Sequence, residues 1–305
     1  MADKGLARPG LRHDARRGAL LMLAATALFT FMGALVKLVG DRIPFTEIMF
    51  FRSVLALPVV LVIVLRMGQG MHLATQRFPQ HVLRAMTGTL AMGSSFYALT
   101  LLPLAEHTAL TFTTPLFVTL LAIPLLGERV GIHRFGAVLL GFVGIIVIAL
   151  GQGGFQGAVD PWVAFGMGVA LLHGVFSAMT TLLVRSLSAT ERSTTIVLWQ
   201  SLLMTVFAGL TLPFVWVTPT LPELGLLIAI GLVGGVAQVL LTEAFASAQV
   251  SSLGAYTYTG ILWAVLLGWV LFGAVPGWPT FLGAGLIVLA SLYILHREIR
   301  RGVAR

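Results

Sequence analysis

Apolar stretches of about 20 residues recur along this chain, which is the length a helix needs to cross hydrocarbon at 1.5 Å per residue. Ten of them run over roughly 18–38, 45–65, 82–102, 104–126, 132–150, 162–184, 194–217, 224–246, 250–273 and 278–296. Only 10% of the 305 residues are charged and 58% are hydrophobic. A soluble fold of that length could not cover its surface with so few charges. β-Barrel spans are shorter and alternate strictly between apolar and polar, unlike these blocks. The expected fold is all-α, with ten transmembrane helices and almost no soluble domain.

The blocks fall into two sets. Phe45-Thr46-Glu47-Ile48-Met49-Phe50-Phe51-Arg52-Ser53 is echoed 148 residues later by Ser193-Thr194-Thr195-Ile196-Val197-Leu198-Trp199-Gln200-Ser201. Leu125-Leu126-Gly127-Glu128-Arg129-Val130-Gly131 is echoed by Leu271-Phe272-Gly273-Ala274-Val275-Pro276-Gly277 at an offset of 146. Two echoes at nearly one offset imply two copies of one unit. With five spans per copy, the second copy inserts upside down. An inverted repeat in a membrane is the architecture of alternating access. The expected divisions are a tail at 1–17, a first repeat at 18–151, an external linker at 152–161, a second repeat at 162–296 and a tail at 297–305.

The net charge of +8 is a topology signal. With the N-terminus in the cytoplasm, all of the 19 Lys and Arg except Lys37, Arg42 and Arg52 fall on the cytoplasmic side, as the positive-inside rule requires. Both termini are therefore expected in the cytoplasm. Anionic lipid is the expected partner of this charge, and nucleic acid is not. Absence of cysteine removes disulfides and thiolate metal sites. No Gly-rich loop ends in Lys-Ser or Lys-Thr, so ATP-driven pumping by this chain is not expected.

Several residues match one known family. Glu47 and Arg52 lie in the second span, and Pro115 sits within Thr113-Thr114-Pro115-Leu116-Phe117 in the fourth. Gly127-Glu128-Arg129 follows, and Gly136, Gly141 and Gly144 run along the fifth. On these the chain resembles the ten-helix, EamA-type members of the drug/metabolite transporter superfamily over nearly its whole length. In the second copy Thr195 and Gln200 replace the acid and base, Gly260 stands near the place of Pro115, and Ala274 replaces Glu128. The resemblance implies a multi-pass protein of the bacterial inner membrane that moves a small metabolite. It also implies a cavity built from helices 1, 3, 4, 6, 8 and 9.

Charges within the spans need partners or a wet cavity. Glu47 and Arg52 are about 140° apart around a helix, so they do not share a face. Glu47 is expected to bridge Lys37 or Arg42, as a brace or a gate, with Arg52 facing the interior to meet a substrate carboxylate. Glu243 reads as a proton or cation site, or as a brace to Arg84 or Arg185, with Gln238 five residues before it. His173 suits a proton relay, a stacking contact or packing through a hydrogen bond. The other histidines are expected to be solvated in tails and turns.

Tyr97, Thr114, Tyr256, Tyr258 and Trp263 are expected to line a polar pocket with aromatic walls, together with Arg52, His173 and Gln238. Singly, such Thr and Ser residues serve helix packing as often as binding. Pro115 and Gly260 read as helix breakers at nearly matched positions, which mark a midplane site or a packing kink.

The expected function is a secondary carrier of an amino acid-like or partly aromatic solute, with proton coupling through Glu47, Glu243 or His173. A carrier of the riboflavin or S-adenosylmethionine type is the alternative within that class. A membrane-embedded enzyme is the rival from another class. The sequence has no His-Glu-x-x-His or paired-Asp motif for it, and no cofactor or metal site is expected.

Overall fold

The computed structural model describes residues 15–66, 74–126, 132–151, 160–187, 190–191, 193–247 and 256–303. Gly127-Glu128-Arg129, most of the Gly-rich linker and nearly all of the N-terminal tail lie outside the described residues. Among those described there is no strand. The helices are α1 (Ala15–Val39), α2 (Phe45–Arg66), α3 (Phe78–Leu101), α4 (Leu104–Thr111), α5 (Thr114–Leu126), α6 (Ile132–Gly151), α7 (Pro161–Leu187), α8 (Ser193–Val215), α9 (Leu221–Ser247), α10 (Gly260–Phe272) and α11 (Trp278–Val303). Helices are what an apolar chain adopts where water cannot satisfy the backbone, because every N–H finds its carbonyl within the segment.

Among the described residues, five stretches are long and apolar enough to cross a membrane: Arg16–Val39, Leu104–Pro124, Pro161–Val184, Thr195–Val215 and Leu221–Leu241. The bundle's exterior agrees, with Phe214 and Leu221 both 86% exposed. Exposed Trp162, Trp216 and Trp278 gather at the end that carries Arg42, where an aromatic belt would sit.

Two expected boundaries change. The third span begins at Phe78 rather than 82, because Pro79 occupies the first turn, where its missing N–H costs nothing. The fourth is two helices, broken at Phe112-Thr113. In the ninth, residues 256–257 are helical and a turn at Tyr258-Thr259 precedes α10. The two breaks are 146 residues apart, the offset of the second sequence echo. The matched pairs are thus Phe112 with Tyr258 and Thr113 with Thr259, one register away from the expected Pro115 and Gly260.

The halves interleave. α1 packs on α9 as α7 packs on α3, and α2 packs on α9 as α8 packs on α3. α1 meets α10 as α7 meets α5, and α2–α8 and α6–α11 bring counterparts together, while α10 packs on α4. One core cluster centres on α1, α2 and α9 with Ile43, Ile48 and Ile230 fully buried, and a second joins α3, α4, α6, α7 and α11 around Leu110, Ile148 and Ile287. At the α6–α11 crossing a Cβ on Gly144 would lie 2.6 Å from the Gly283 carbonyl, and one on Gly283 would lie 2.5 Å from the Gly144 carbonyl. Only glycine permits that approach. α10 ends on Gly273 at φ 63°, which caps the carbonyls of Gly268 and Trp269.

Candidate functional site

The sequence echo becomes a cavity. About 150 Å³ of open space lies between α2, α3, α8 and α9, lined by Arg52, Ser53, Ala56, Arg84, Val197, Gln200, Ser201, Met204 and Gln238. On α2 the lining residues fall at i, i+1 and i+4, and on α8 at i, i+3, i+4 and i+7, so each helix turns one face inward. Arg52 and Gln200, Ser53 and Ser201, and Ala56 and Met204 are equivalent pairs at the 148-residue offset. Two glycines make the room. A Cβ on Gly234 would sit 3.5 Å from Arg52 Nε and 2.7 Å from Met32 Sδ, and one on Gly88 would sit 3.2 Å from Gln200 Nε2.

The two arginines of this cavity are under-bonded among the described residues. Arg84 is 8% exposed, and its Nη1 donates only a long contact of 3.4 Å to the Ile196 carbonyl. Arg52 Nε, Arg84 Nε, Ser53 Oγ and Gln200 Oε1 are buried with no hydrogen-bond partner. Gln200 Nε2 meets Met204 Sδ at 3.1 Å. Among the described residues no Asp or Glu lines the cavity. Each guanidinium at this depth costs about 2.5–3.5 kcal/mol on insertion scales, and no carboxylate here offsets it.

The carboxylates are engaged elsewhere. Glu47 is fully buried and accepts the Val217 N–H at 3.0 Å. Its expected partners are taken: Arg42 forms an ion pair with Glu223 and also donates to the Thr218 carbonyl at 3.0 Å. The hydrogen bond to Glu223 holds the Arg42 pKa above its ordinary value. Lys37 donates to the carbonyls of Leu99 and Leu102 at 3.0 and 2.8 Å, capping the end of α3. Glu243 faces Arg17 at 3.7 Å, in keeping with the packing of α9 on α1; the Arg185 side chain lies outside the described residues. Glu106 accepts from Thr280 Oγ1 at 3.0 Å.

A second polar group marks the helix breaks. The Phe112 and Tyr258 rings meet edge to face at 5.0 Å, so the matched break residues touch. The Phe112 carbonyl, left open by the break, accepts from Ser291 Oγ at 3.3 Å. Thr259 Oγ1 lies 3.2 Å from Thr26 Oγ1 on α1, while Thr113 lies over Gly174 on α7. Thr114 Oγ1 returns to the Thr111 carbonyl at 2.9 Å, and the Pro115 carbonyl accepts from Thr119 at 3.1 Å.

Nearby, His173 Nδ1 meets the Ala91 carbonyl at 2.9 Å and His107 Nε2 meets Ser95 Oγ at 3.0 Å. Ala91 and Ser95 are one turn apart on α3, so two histidines dock on one face of it.

Of the residues expected to bind substrate, Arg52 and Gln238 share the polar cavity. Tyr97 lines a separate, more apolar space of about 320 Å³ between α2, α3, α7 and α8, its ring tilted against Phe45 and edge to face with Phe165. Thr114, Pro115, Tyr258 and Gly260 lie at the breaks, Trp263 is partly buried and Tyr256 is 37% exposed. These do not converge on one pocket. Ser251 and Ser252 lie outside the described residues.

Sequence reasoning missed Arg84, which a span starting at 82 places at the rim instead of nearly two turns inside α3. It also missed that His81 and His107 are buried, at 1% and 6% exposed. The signal for His107 was its place just past Pro103, at the start of an apolar stretch.

The model of the EamA-like transporter family matches twice, at residues 16–150 and 164–296. The chain belongs to the EamA-like transporter family. The pseudopaline exporter of Pseudomonas aeruginosa is 32% identical over 91% of this chain and 95% of that one. The riboflavin transporter of Rhizobium johnstonii is 32% identical over 93% and 92%. An S-adenosylmethionine uptake transporter of Rickettsia bellii is 26% identical over 86% and 87%. A solved crystal structure superposes with TM-score 0.64 at 21% identity, covering 91% of this chain and 96% of that chain, a likeness of fold. This EamA-like protein is a multi-pass membrane transporter, and its family and relatives are transporters rather than enzymes.

Proposed function

We propose that this EamA-like protein is a secondary carrier of the bacterial inner membrane that moves a small metabolite by alternating access. Its two halves, 18–151 and 162–296, are inverted five-helix repeats joined by an external linker at 152–161. The tails at 1–17 and 297–305 lie in the cytoplasm. The observation that carries this reading is the meeting of equivalents: Arg52 with Gln200, and Phe112 with Tyr258. Where equivalent residues meet across an approximate two-fold relation, exchanging the conformations of the halves exchanges the side on which the space between them opens. The Arg42 end is the outer face and the Arg17–Glu243 end the inner one, where the basic tails face anionic lipid.

In this reading Arg52 and Gln238 contact substrate in the cavity, and Tyr97, Thr114, His173, Tyr256, Tyr258 and Trp263 line its path. Pro115 and Gly260, beside the breaks at Phe112-Thr113 and Tyr258-Thr259, mark the gate, since backbone at a break absorbs the change in φ and ψ. His173, Glu243 and Glu47 are the groups through which proton coupling would run. The substrate is an amino acid-like or partly aromatic solute. A vitamin or nucleotide derivative is the second reading, favoured by the relatives named for riboflavin and S-adenosylmethionine.

The test is counterflow in liposomes, with solutes chosen by thermal stabilisation of the purified protein. A ligand at 100 times its Kd adds about 2.7 kcal/mol, a shift readily seen. Saturable exchange of a stabilising solute supports the carrier. Non-saturating flux would indicate a channel, and product formation an enzyme.

A further inference from the structure

We propose that the cavity between α2, α3, α8 and α9 is an oxyanion site, and that the transported solute carries a carboxylate or phosphate group that seats between Arg52 and Arg84. The word transported rests on the carrier reading; the site stands on its own geometry.

Two guanidiniums face one space that no Asp or Glu among the described residues lines, and both keep a buried Nε with no partner. A guanidinium serving as a brace has acceptors. Arg42 shows this within the same chain, bonded to Glu223 and the Thr218 carbonyl. Arg84 has a single long contact, and no carboxylate or carbonyl among the described residues accepts from Arg52. The carboxylates that could have served hold Val217, Arg42, Thr280, Thr75 and Arg17 instead. The counter-charge must therefore come from outside the described chain. The planar forks of arginine match the paired oxygens of carboxylate and phosphate.

The rest of the lining selects further. Ser53, Ser201, Gln200 and Gln238 offer hydroxyl and amide groups that orient an oxyanion. A cationic group would meet two like charges with no compensation. About 150 Å³ is roughly the share of liquid held by five waters. That admits the anionic end of a solute and leaves a ring system outside. Charge is also unequal between the repeats, since Arg52 has neutral Gln200 as its counterpart. The cavity is thus built for one anionic group rather than two related by symmetry.

The experiment uses the full chain in phosphatidylcholine nanodiscs at constant ionic strength. The probes are inorganic phosphate and succinate, with glucose and tetraethylammonium as neutral and cationic controls. Thermal unfolding is read for the wild type, Arg52→Gln and Arg84→Gln. The expected result is stabilisation by an oxyanion and by neither control, with at least about tenfold weaker affinity in each variant. In oxyanion-free buffer the variants should melt no lower than the wild type, which a brace would not allow. No oxyanion response, or an equal response in both variants, overturns the site. Stabilisation only on replacing phosphatidylcholine with phosphatidylglycerol overturns it in favour of a lipid headgroup. Solute exchange in liposomes at the wild-type rate by both variants sinks the anionic substrate class and leaves the carrier reading standing. Oxyanion binding without exchange of any anion tested sinks the carrier reading and leaves the site.

Discussion

Arg42 and Arg84 are the same residue type in opposite circumstances. Arg42, in the turn between α1 and α2, is exposed and satisfied by Glu223 and the Thr218 carbonyl. Arg84 is buried inside α3 and holds one long contact to Ile196. Water supports the first and would make its partner dispensable; one long carbonyl contact is all that the described bundle gives the second. A satisfied charge at a rim is a fastening. An unsatisfied charge beside a cavity, with Arg52 at its side, is a place for something else to bind.

The largest effect that tests this contrast is on transport. Replacing Arg52 and Arg84 together by Gln should lower counterflow of an anionic solute by about 100-fold or more, since hydrogen bonds to charged groups contribute about 1.5–3 kcal/mol each. Wild-type exchange by the double variant would dissolve the distinction. Next, Gln200→Glu places an internal carboxylate among the guanidiniums with almost no change of shape. It should raise stability by about 2 kcal/mol while abolishing the response to phosphate, as thermal melts would record. A destabilised variant would mean that the arginines already have their counter-charge.

Smaller effects belong to the rim. Glu47→Ala removes the acceptor of a backbone N–H at the α8–α9 turn and should cost about 1 kcal/mol in chemical or thermal unfolding, with transport kept if Glu47 is only a fastening. Loss of coupled transport at intact stability would move it to the working parts. Smallest of all, Arg42→Gln should change the melting temperature less than Glu47→Ala, with the difference shrinking further in salt.

How much of this was legible depends on how local each feature is. The all-helical, membrane-embedded fold and the doubled unit follow from block length and from the two echoes, and the family comparison matches each half separately. That Arg52 and Glu47 point to different surroundings follows from the angle between them, and Arg52 lines the cavity while Glu47 meets Val217. The partner of Glu47 and the Arg17 contact of Glu243 did not follow. Glu47 meets Val217 and Glu243 meets Arg17 because α2 lies beside α8 and α9 and α1 lies beside α9, contacts between segments far apart in the chain. His107 was misread because it lies in α4, not in a turn, and its burial depends on which helices surround that one. The broken fourth helix was placed near Pro115, but the break falls at Phe112-Thr113, where Phe112 meets Tyr258.

The sequence by itself determined that the chain would be helical, apolar and made of two related units, because hydropathy, span length and internal likeness are properties of one strand of chain. Only the tertiary structure decided that equivalent residues of the two units would face each other. It alone set Arg84 beside Arg52 with no carboxylate between them. Helix pairing in an apolar bundle is chosen by shape and by small residues such as Gly144, Gly234 and Gly283, and no pattern along the chain states which faces will meet.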